Sequence, residues 1–230
     1  IGCGVAAEVD PYLWLEDTHG ERAMAFVKKE NVRTVTEARA DEAFARMESQ
    51  IRSILDASDR VPGVRQYGKW LYNFWRDGAH PRGLWRRCSL AEYRKAIPAW
   101  ETVLDLDALA RAEEENWVWK WSGFRAPDYA RCMISLSRGG SDASVVREFD
   151  VVKKAFVADG FVLAEAKHRV GWRDADRLFV ATDFGEGSLT EAGYPRIVKS
   201  WRRGTALAAA EAVFEGKVTD MSVSAYTVDT

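Results

Sequence analysis

Between residues 20 and 56, apolar side chains return every three or four positions. Ala23, Phe26 and Val27 are followed by Val35, Ala38, Phe44, Met47, Ile51, Ile54 and Leu55, with Glu, Lys and Arg between them. That period puts one apolar stripe on a helix, so it predicts two amphipathic helices or one broken near Asp41. Pro62-Gly63 ends the pattern. Beyond it the chain changes to short runs rich in β-branched and aromatic residues, each bounded by turn residues. Strands are predicted at 70–75, 83–88, 101–104, 117–121, 132–136, 144–149, 169–172, 177–181, 196–201 and 212–214, with a short helix over 106–115. So many short strands without crossover helices imply antiparallel sheets.

A longer period underlies the strands. The runs 83–87, 144–149 and 195–201 each follow a turn-rich loop, and each leads through a polar bend to a further apolar run at 100–104, 155–157 and 212–214. A repeat in the fifties fits one four-stranded propeller blade with generous loops. The expected fold is therefore mainly β: a helical N-terminal arm over 1–62 and a partial β-propeller over 63–230. Its blades fall at about 64–106, 117–161 and 167–215, with a fourth beginning at 217. Three blades and part of a fourth cannot close a ring, so inter-blade apolar faces and the arm's stripe should be left bare.

Composition narrows the function classes. Apolar residues make up 47% of the chain, an ordinary globular fraction. A formal charge of -2 gives no electrostatic case for nucleic acid, and no apolar run is long enough for a membrane span. The ten Trp residues are the unusual feature, suited to inter-blade cores or an aromatic binding surface. Cys3, Cys88 and Cys132 are dispersed, as are His19, His80 and His168, so neither a disulfide framework nor a metal site is expected, and no cofactor. Ile1-Gly2-Cys3-Gly4 has the small residues and Cys of a lipoprotein processing site but lacks the apolar segment that precedes one. A cytoplasmic or periplasmic location is expected.

Two stretches carry a resemblance. The first is Asp10-Pro11-Tyr12-Leu13-Trp14-Leu15-Glu16-Asp17, and the second runs from Asn73-Phe74-Trp75-Arg76-Asp77-Gly78 through His80-Pro81-Arg82-Gly83-Leu84-Trp85-Arg86-Arg87. With Pro98-Ala99-Trp100-Glu101-Thr102-Val103-Leu104-Asp105, Leu136-Ser137-Arg138-Gly139-Gly140-Ser141-Asp142-Ala143 and Tyr194-Pro195-Arg196-Ile197-Val198-Lys199, they resemble the prolyl oligopeptidase family of serine peptidases. The resemblance implies a helical arm, a seven-bladed propeller and an α/β-hydrolase domain with a Ser-Asp-His triad, cleaving short peptides after proline. By that layout this chain ends within the propeller. The hydrolase domain of the same parent protein and short proline-containing peptides become the expected partners, with the propeller gating substrate size.

The chain itself lacks the chemistry. A hydrolase nucleophile needs a strand-to-helix elbow such as Gly-x-Ser-x-Gly, which does not occur here. Gly139-Gly140-Ser141-Asp142-Ala143 is a lookalike, but a strand-like alternation follows it, so Ser141 reads as a turn residue. No catalytic residue is expected within the chain, which alone should be inactive. Lys167-His168-Arg169, just before a strand, has two readings: a solvated charge cluster leading into that strand, or a substrate-facing cluster whose cations would meet a peptide carbonyl or carboxylate, the one such candidate in the chain. Arg86-Arg87 and Arg202-Arg203 read as exposed strand-edge charges, and Glu113-Glu114-Glu115 as a solvated face. The competing reading is a truncated paralogue acting as a peptide- or protein-binding module. A carbohydrate-active propeller would need carboxylates repeated at equivalent blade positions, and none are seen.

Overall fold

The structure, a computed structural model, describes residues 10–57 and 59–227. Cys3 lies outside them. The chain divides into two compact units, meeting in sequence at Ala57 and Ser58.

In the first unit a 3-10 turn at Leu13–Leu15 precedes helices α1 (Glu21–Arg39) and α2 (Glu42–Leu55). The break expected near Asp41 is a helix cap: the Asp41 carboxylate accepts the Ala43 N–H at 2.7 Å, satisfying one of the orphan donors of α2. Trp14 packs edge-on against Phe26, with centroids 5.5 Å apart, and the Arg22 guanidinium covers its ring. Ala23 is the one buried residue of the two helices. Phe44, Met47, Ile51 and Leu55 stay exposed along α2 and line a groove of 460 Å³.

The second unit holds three sheets whose strand pairs are all antiparallel. The first contains β1 (Arg65–Tyr67), β2 (Trp70–Trp75), β3 (Leu84–Ser89) and β4 (Glu101–Asp105), in that order. α3 (Leu90–Tyr93) and α4 (Leu106–Glu113) decorate it. The second contains β5 (Trp117–Phe124), β6 (Arg131–Arg138), β7 (Ser144–Asp150) and β8 (Ala155–Phe156), and β9 (Val162–Ala166) also pairs with β7. The third contains β10 (Arg169–Trp172), β11 (Arg177–Ala181), β12 (Ile197–Arg202) and β13 (Glu211–Glu215). The architecture is that of part of a propeller, and the described sheets do not close into a ring. No strand follows Glu215 among the described residues. Instead the chain returns toward β10, where the Thr227 hydroxyl donates to Trp172 O at 2.9 Å and Ala225 O lies 2.8 Å from where a Cβ on Gly171 would stand.

Alternation along β6 shows why the sheets stack. Cys132, Ile134 and Leu136 point to the first sheet, where they meet Tyr72, Trp85 and Val103 together with Leu106 and Ala110 of α4. Met133, on the opposite face of β6, joins Val146, Phe161 and Leu163 against Leu178, Val180 and Trp201 of the third sheet. A strand buried on both faces must be apolar on both, and β6 has six consecutive buried residues. Fully burying side chains such as Ile134, Leu136 and Phe149 contributes about 1.5–3 kcal/mol each.

Two arginine readings are corrected here. Arg87 is buried rather than at a strand edge: it pairs with Glu101 at 2.7 Å and reaches Val151 O, in the turn just after Asp150, at 3.2 Å. Arg203 forks onto Glu148, itself 1% exposed, at 2.7 and 3.1 Å. Nor is the run at 113–115 simply solvated, because Glu113 accepts both arms of Arg147 and the Trp117 indole N–H, while Glu115 pairs with Arg138. Guanidinium is the cation best shaped for such forked contacts, which is why these side chains serve between blades.

Candidate functional site

The first strand of each sheet converges on a common wall. Tyr67 of β1 stacks on Phe124 of β5 at 4.1 Å, and the indole N–H of Trp172 on β10 donates to Gly123 O of β5 at 2.9 Å. Since β1, β5 and β10 each end their sheet's order, none has a further strand on its outer side, although side chains reach two of them: Arg82 donates to Trp117 O of β5 and Thr227 to Trp172 O of β10. A bulge shapes the middle of this wall. Trp119 pairs with Leu136 and Trp121 with Ser135, so Lys120 is the extra residue. An unbroken strand would put Trp117, Trp119 and Trp121 on one face; the bulge sends Trp121 to the other. Trp119 packs in the first seam and Trp121 in the second.

Two cavities open along the wall. One, of 610 Å³, lies between the first and second sheets and is lined by Val64, Arg65, Tyr67, Trp119, Lys120 and Ser122 among others; the second, of 270 Å³, lies beside β10 and Trp172. Trp121 borders both. Three alternating tryptophans were visible in the sequence as β-prone text, but only the paired register reveals that one of them changes face.

The cluster expected to face substrate divides into one buried and two outward residues. His168 is 7% exposed, and its Nε2–H lies 2.8 Å from both Ser144 O and Ala164 O. That fixes the Nε2–H tautomer and leaves Nδ1 buried without a hydrogen-bond partner. Burial holds its pKa below the ordinary imidazole value, opposed by the two carbonyl bonds. Lys167 Nζ sits 4.3 Å above the Tyr194 ring and 3.9 Å from Asp142 Oδ2, and the Arg169 guanidinium lies 5.6 Å from the same ring. His168 is thus a peg, and the cations on either side of it share one aromatic platform.

Groups that could imitate a triad are committed elsewhere. The Ser141 hydroxyl donates to Ala143 O in an exposed hairpin opened by Gly139 and Gly140, both at positive φ. Ser89 does lie on a strand-to-helix turn, but its oxygen accepts the Glu92 N–H as the cap of α3. His80 Nδ1 is 3.0 Å from Asp77 Oδ1 in a loop staple that also takes the Trp75 indole N–H. Cys88 and Cys132 are free and buried, and burial raises both thiol pKa values, the condition of an unreactive thiol. Among the described residues no cluster of His, Cys, Asp or Glu could hold a metal ion, and no helix is long and apolar enough to cross a membrane.

This fan of antiparallel sheets agrees with what the chain is similar to. The family model for prolyl oligopeptidase, N-terminal beta-propeller domain, matches residues 5–230. The chain belongs to the prolyl oligopeptidase (S9) peptidase family. An uncharacterized peptidase, y4nA, of Sinorhizobium fredii is 39% identical over 215 residues, covering 93% of this chain and 30% of the relative. An uncharacterized peptidase, RP174, of Rickettsia prowazekii is 31% identical over 211 residues, covering 88% and 29%. Among solved structures, a post-proline cleaving enzyme from Rickettsia typhi superposes with a TM-score of 0.86 at 28% identity, covering 94% of this chain and 32% of that one. The chain therefore spans about a third or less of the length of these relatives.

Proposed function

We propose that this chain is the N-terminal arm and propeller portion of a serine endopeptidase that cleaves short peptides after proline, with 1–62 as the arm and 63–230 as propeller. The observation that carries the reading is the match to the family's N-terminal propeller domain over residues 5–230. In this reading the nucleophile, base and orienting acid belong to an α/β-hydrolase domain outside the chain. The exposed stripe of α2 docks on that domain, which removes Phe44, Met47, Ile51 and Leu55 from water. The propeller's contribution is a size gate. Lys167 and Arg169 face the peptide, their spare N–H groups available to a carbonyl or carboxylate, while His168 fixes their backbone from beneath.

Hydrolysis of a proline-linked p-nitroanilide peptide tests the reading. The isolated chain, its mass verified, should give no turnover, because no serine among the described residues stands on a free elbow. The polypeptide joined to its hydrolase domain should cleave after proline. Replacing Lys167 and Arg169 with Ala in that polypeptide should raise KM about tenfold with kcat kept, the mark of lost uniform binding. Turnover by the isolated chain that disappears in Ser141→Ala would overturn the assignment.

A further inference from the structure

We infer that the wall around Trp121 is a docking site for proline-bearing, acidic peptide segments, separate from the Lys167–Arg169 cluster. The inference rests on the peptidase reading for its choice of ligand and on the cavities for its place.

The first observation is the presentation of Trp121. Its ring lies 3.4 Å from where a Cβ on Gly123 would stand, so the indole reaches over a residue with no side chain. The ring is half-buried and borders both cavities, with Trp172 and Tyr226 beside it in the second. A flat indole partly open to water is a surface for a flat apolar ligand. Among peptide side chains the proline ring fits best: it is rigid, loses no rotamer entropy on binding, and holds its segment in an extended polyproline II form that packs on aromatic shelves.

The second observation is charge. Arg65, Lys120 and Arg173 line the two cavities, and no Asp or Glu does. The absence is selective in a chain with 35 acidic residues. Lys120 is exposed because the bulge excludes it from the ladder, and its ammonium is held by a single contact, to Ser141 O at 3.2 Å. Its remaining donors are available to a carboxylate, from either an acidic side chain or a free C-terminus.

The third is the outer edge of β5, which no strand covers and whose carbonyls take side-chain donors only toward the ends, from Arg82 at Trp117 and from Trp172 at Gly123. An extended ligand lying along this edge could exchange main-chain hydrogen bonds with it, as added strands do. The ring, the cations and the edge together select for an extended proline-containing peptide with negative charge. Single-stranded nucleic acid also stacks on aromatics beside cations, but three cations on a chain of net charge -2 are few for a phosphate backbone.

The test is calorimetric titration of the 230-residue chain with Ala-Pro-Pro-Glu-Glu, free at its carboxyl end. Ala-Ala-Ala-Glu-Glu and the amidated Ala-Pro-Pro-Gln-Gln should each bind about fivefold more weakly, as expected for loss of a ring contact or of charge-assisted bonds. Trp121→Phe should keep most of the affinity and Trp121→Ala should lose it. Arg65→Glu combined with Lys120→Glu changes only exposed side chains and should abolish binding even if Trp121→Ala does not fold. Equal affinity for the alanine peptide, indifference to charge reversal, no measurable binding, or displacement by an oligothymidylate would each overturn the inference. Because no hydrolysis is measured, a parent protein that fails to cleave after proline sinks the peptidase reading and leaves this result standing. Active parent protein with a Trp121-independent titration does the reverse.

Discussion

The two seams on either side of the second sheet are built from different chemistry. The first is aromatic: Trp85 meets Tyr72 at 5.3 Å, Trp119 at 5.2 Å, Phe124 at 5.7 Å and Phe149 at 6.0 Å, and α4 closes its end with Leu106 and Ala110. The second mixes Met133, Val146, Leu178 and Val180 with buried polar groups, among them Ser135, Ser144, His168 and the Glu148–Arg203 pair. The rings of the first seam derive their strength from area and geometry, which neither pH nor salt alters much, and an ion pair at that seam, Arg87 with Glu101, lies beside them. A seam that buries ionisable groups is strong only while each partner stays in place and in one protonation state. One strand, β6, serves both, with Cys132, Ile134 and Leu136 in the first seam and Met133 in the second.

Breaking the aromatic seam should cost most. Trp85→Ala should lose about 4 kcal/mol, since the indole is 3% exposed and its removal leaves a cavity among four rings. The denaturant midpoint reads this directly, and a loss below about 1 kcal/mol would mean that the seam collapses around the gap. Next comes the ion pair. Arg203→Met should cost about 3 kcal/mol because it strands Glu148, leaving it the Phe161 N–H at 3.1 Å and a long approach to Arg131 at 3.9 Å. Adding Glu148→Met should recover most of that loss, and a double variant no better than the single would show that the pair is worth more than its desolvation.

The smallest effect belongs to His168. Burial depresses its folded pKa, so above the unfolded value of about 6.5 the ring is neutral in both states and its stability contribution is complete. As pH falls below that value the unfolded chain takes up a proton that the folded chain refuses, and stability declines. Melting at pH 7.5 and 5.5 should therefore differ more in the native chain than in His168→Phe. Equal differences would place the pH response elsewhere.

The sequence made some of these elements plain and hid others for physical reasons. β2 and β11, with turn residues at both ends, were legible at their true bounds, whereas β5 and β6 run past the expected ends and β9 was not foreseen. β1 and β8 were not legible, being three and two residues long, too short to establish a period. α3 begins directly on the last residue of β3, with Ser89 ending the strand and capping the helix at once. Charge also misled. Arg87 and Arg203 look like surface residues in text, because pairing across a seam depends on a carboxylate or carbonyl supplied by a distant segment. Lys167-His168-Arg169 was legible as a cation cluster, but the link between β9 and β10 turns His168 inward, onto Ser144 O and Ala164 O. Trp121 escaped notice because a bulge is a property of two paired strands and not of one.

The strand order has a consequence in time. From β1 to β8 and from β10 to β13, nearest neighbours in each sheet are successive in the chain, so each sheet can form from local contacts while synthesis continues. Its apolar face cannot be covered so soon. The first sheet is complete at Asp105, but the far side of its seam extends to Val151. At synthesis rates of about 5–20 residues per second, a nascent chain carries Tyr72, Trp85 and Val103 uncovered for roughly 2–9 s. That interval is when this polypeptide is most exposed to misassociation, and when a holding chaperone would have the most to bind.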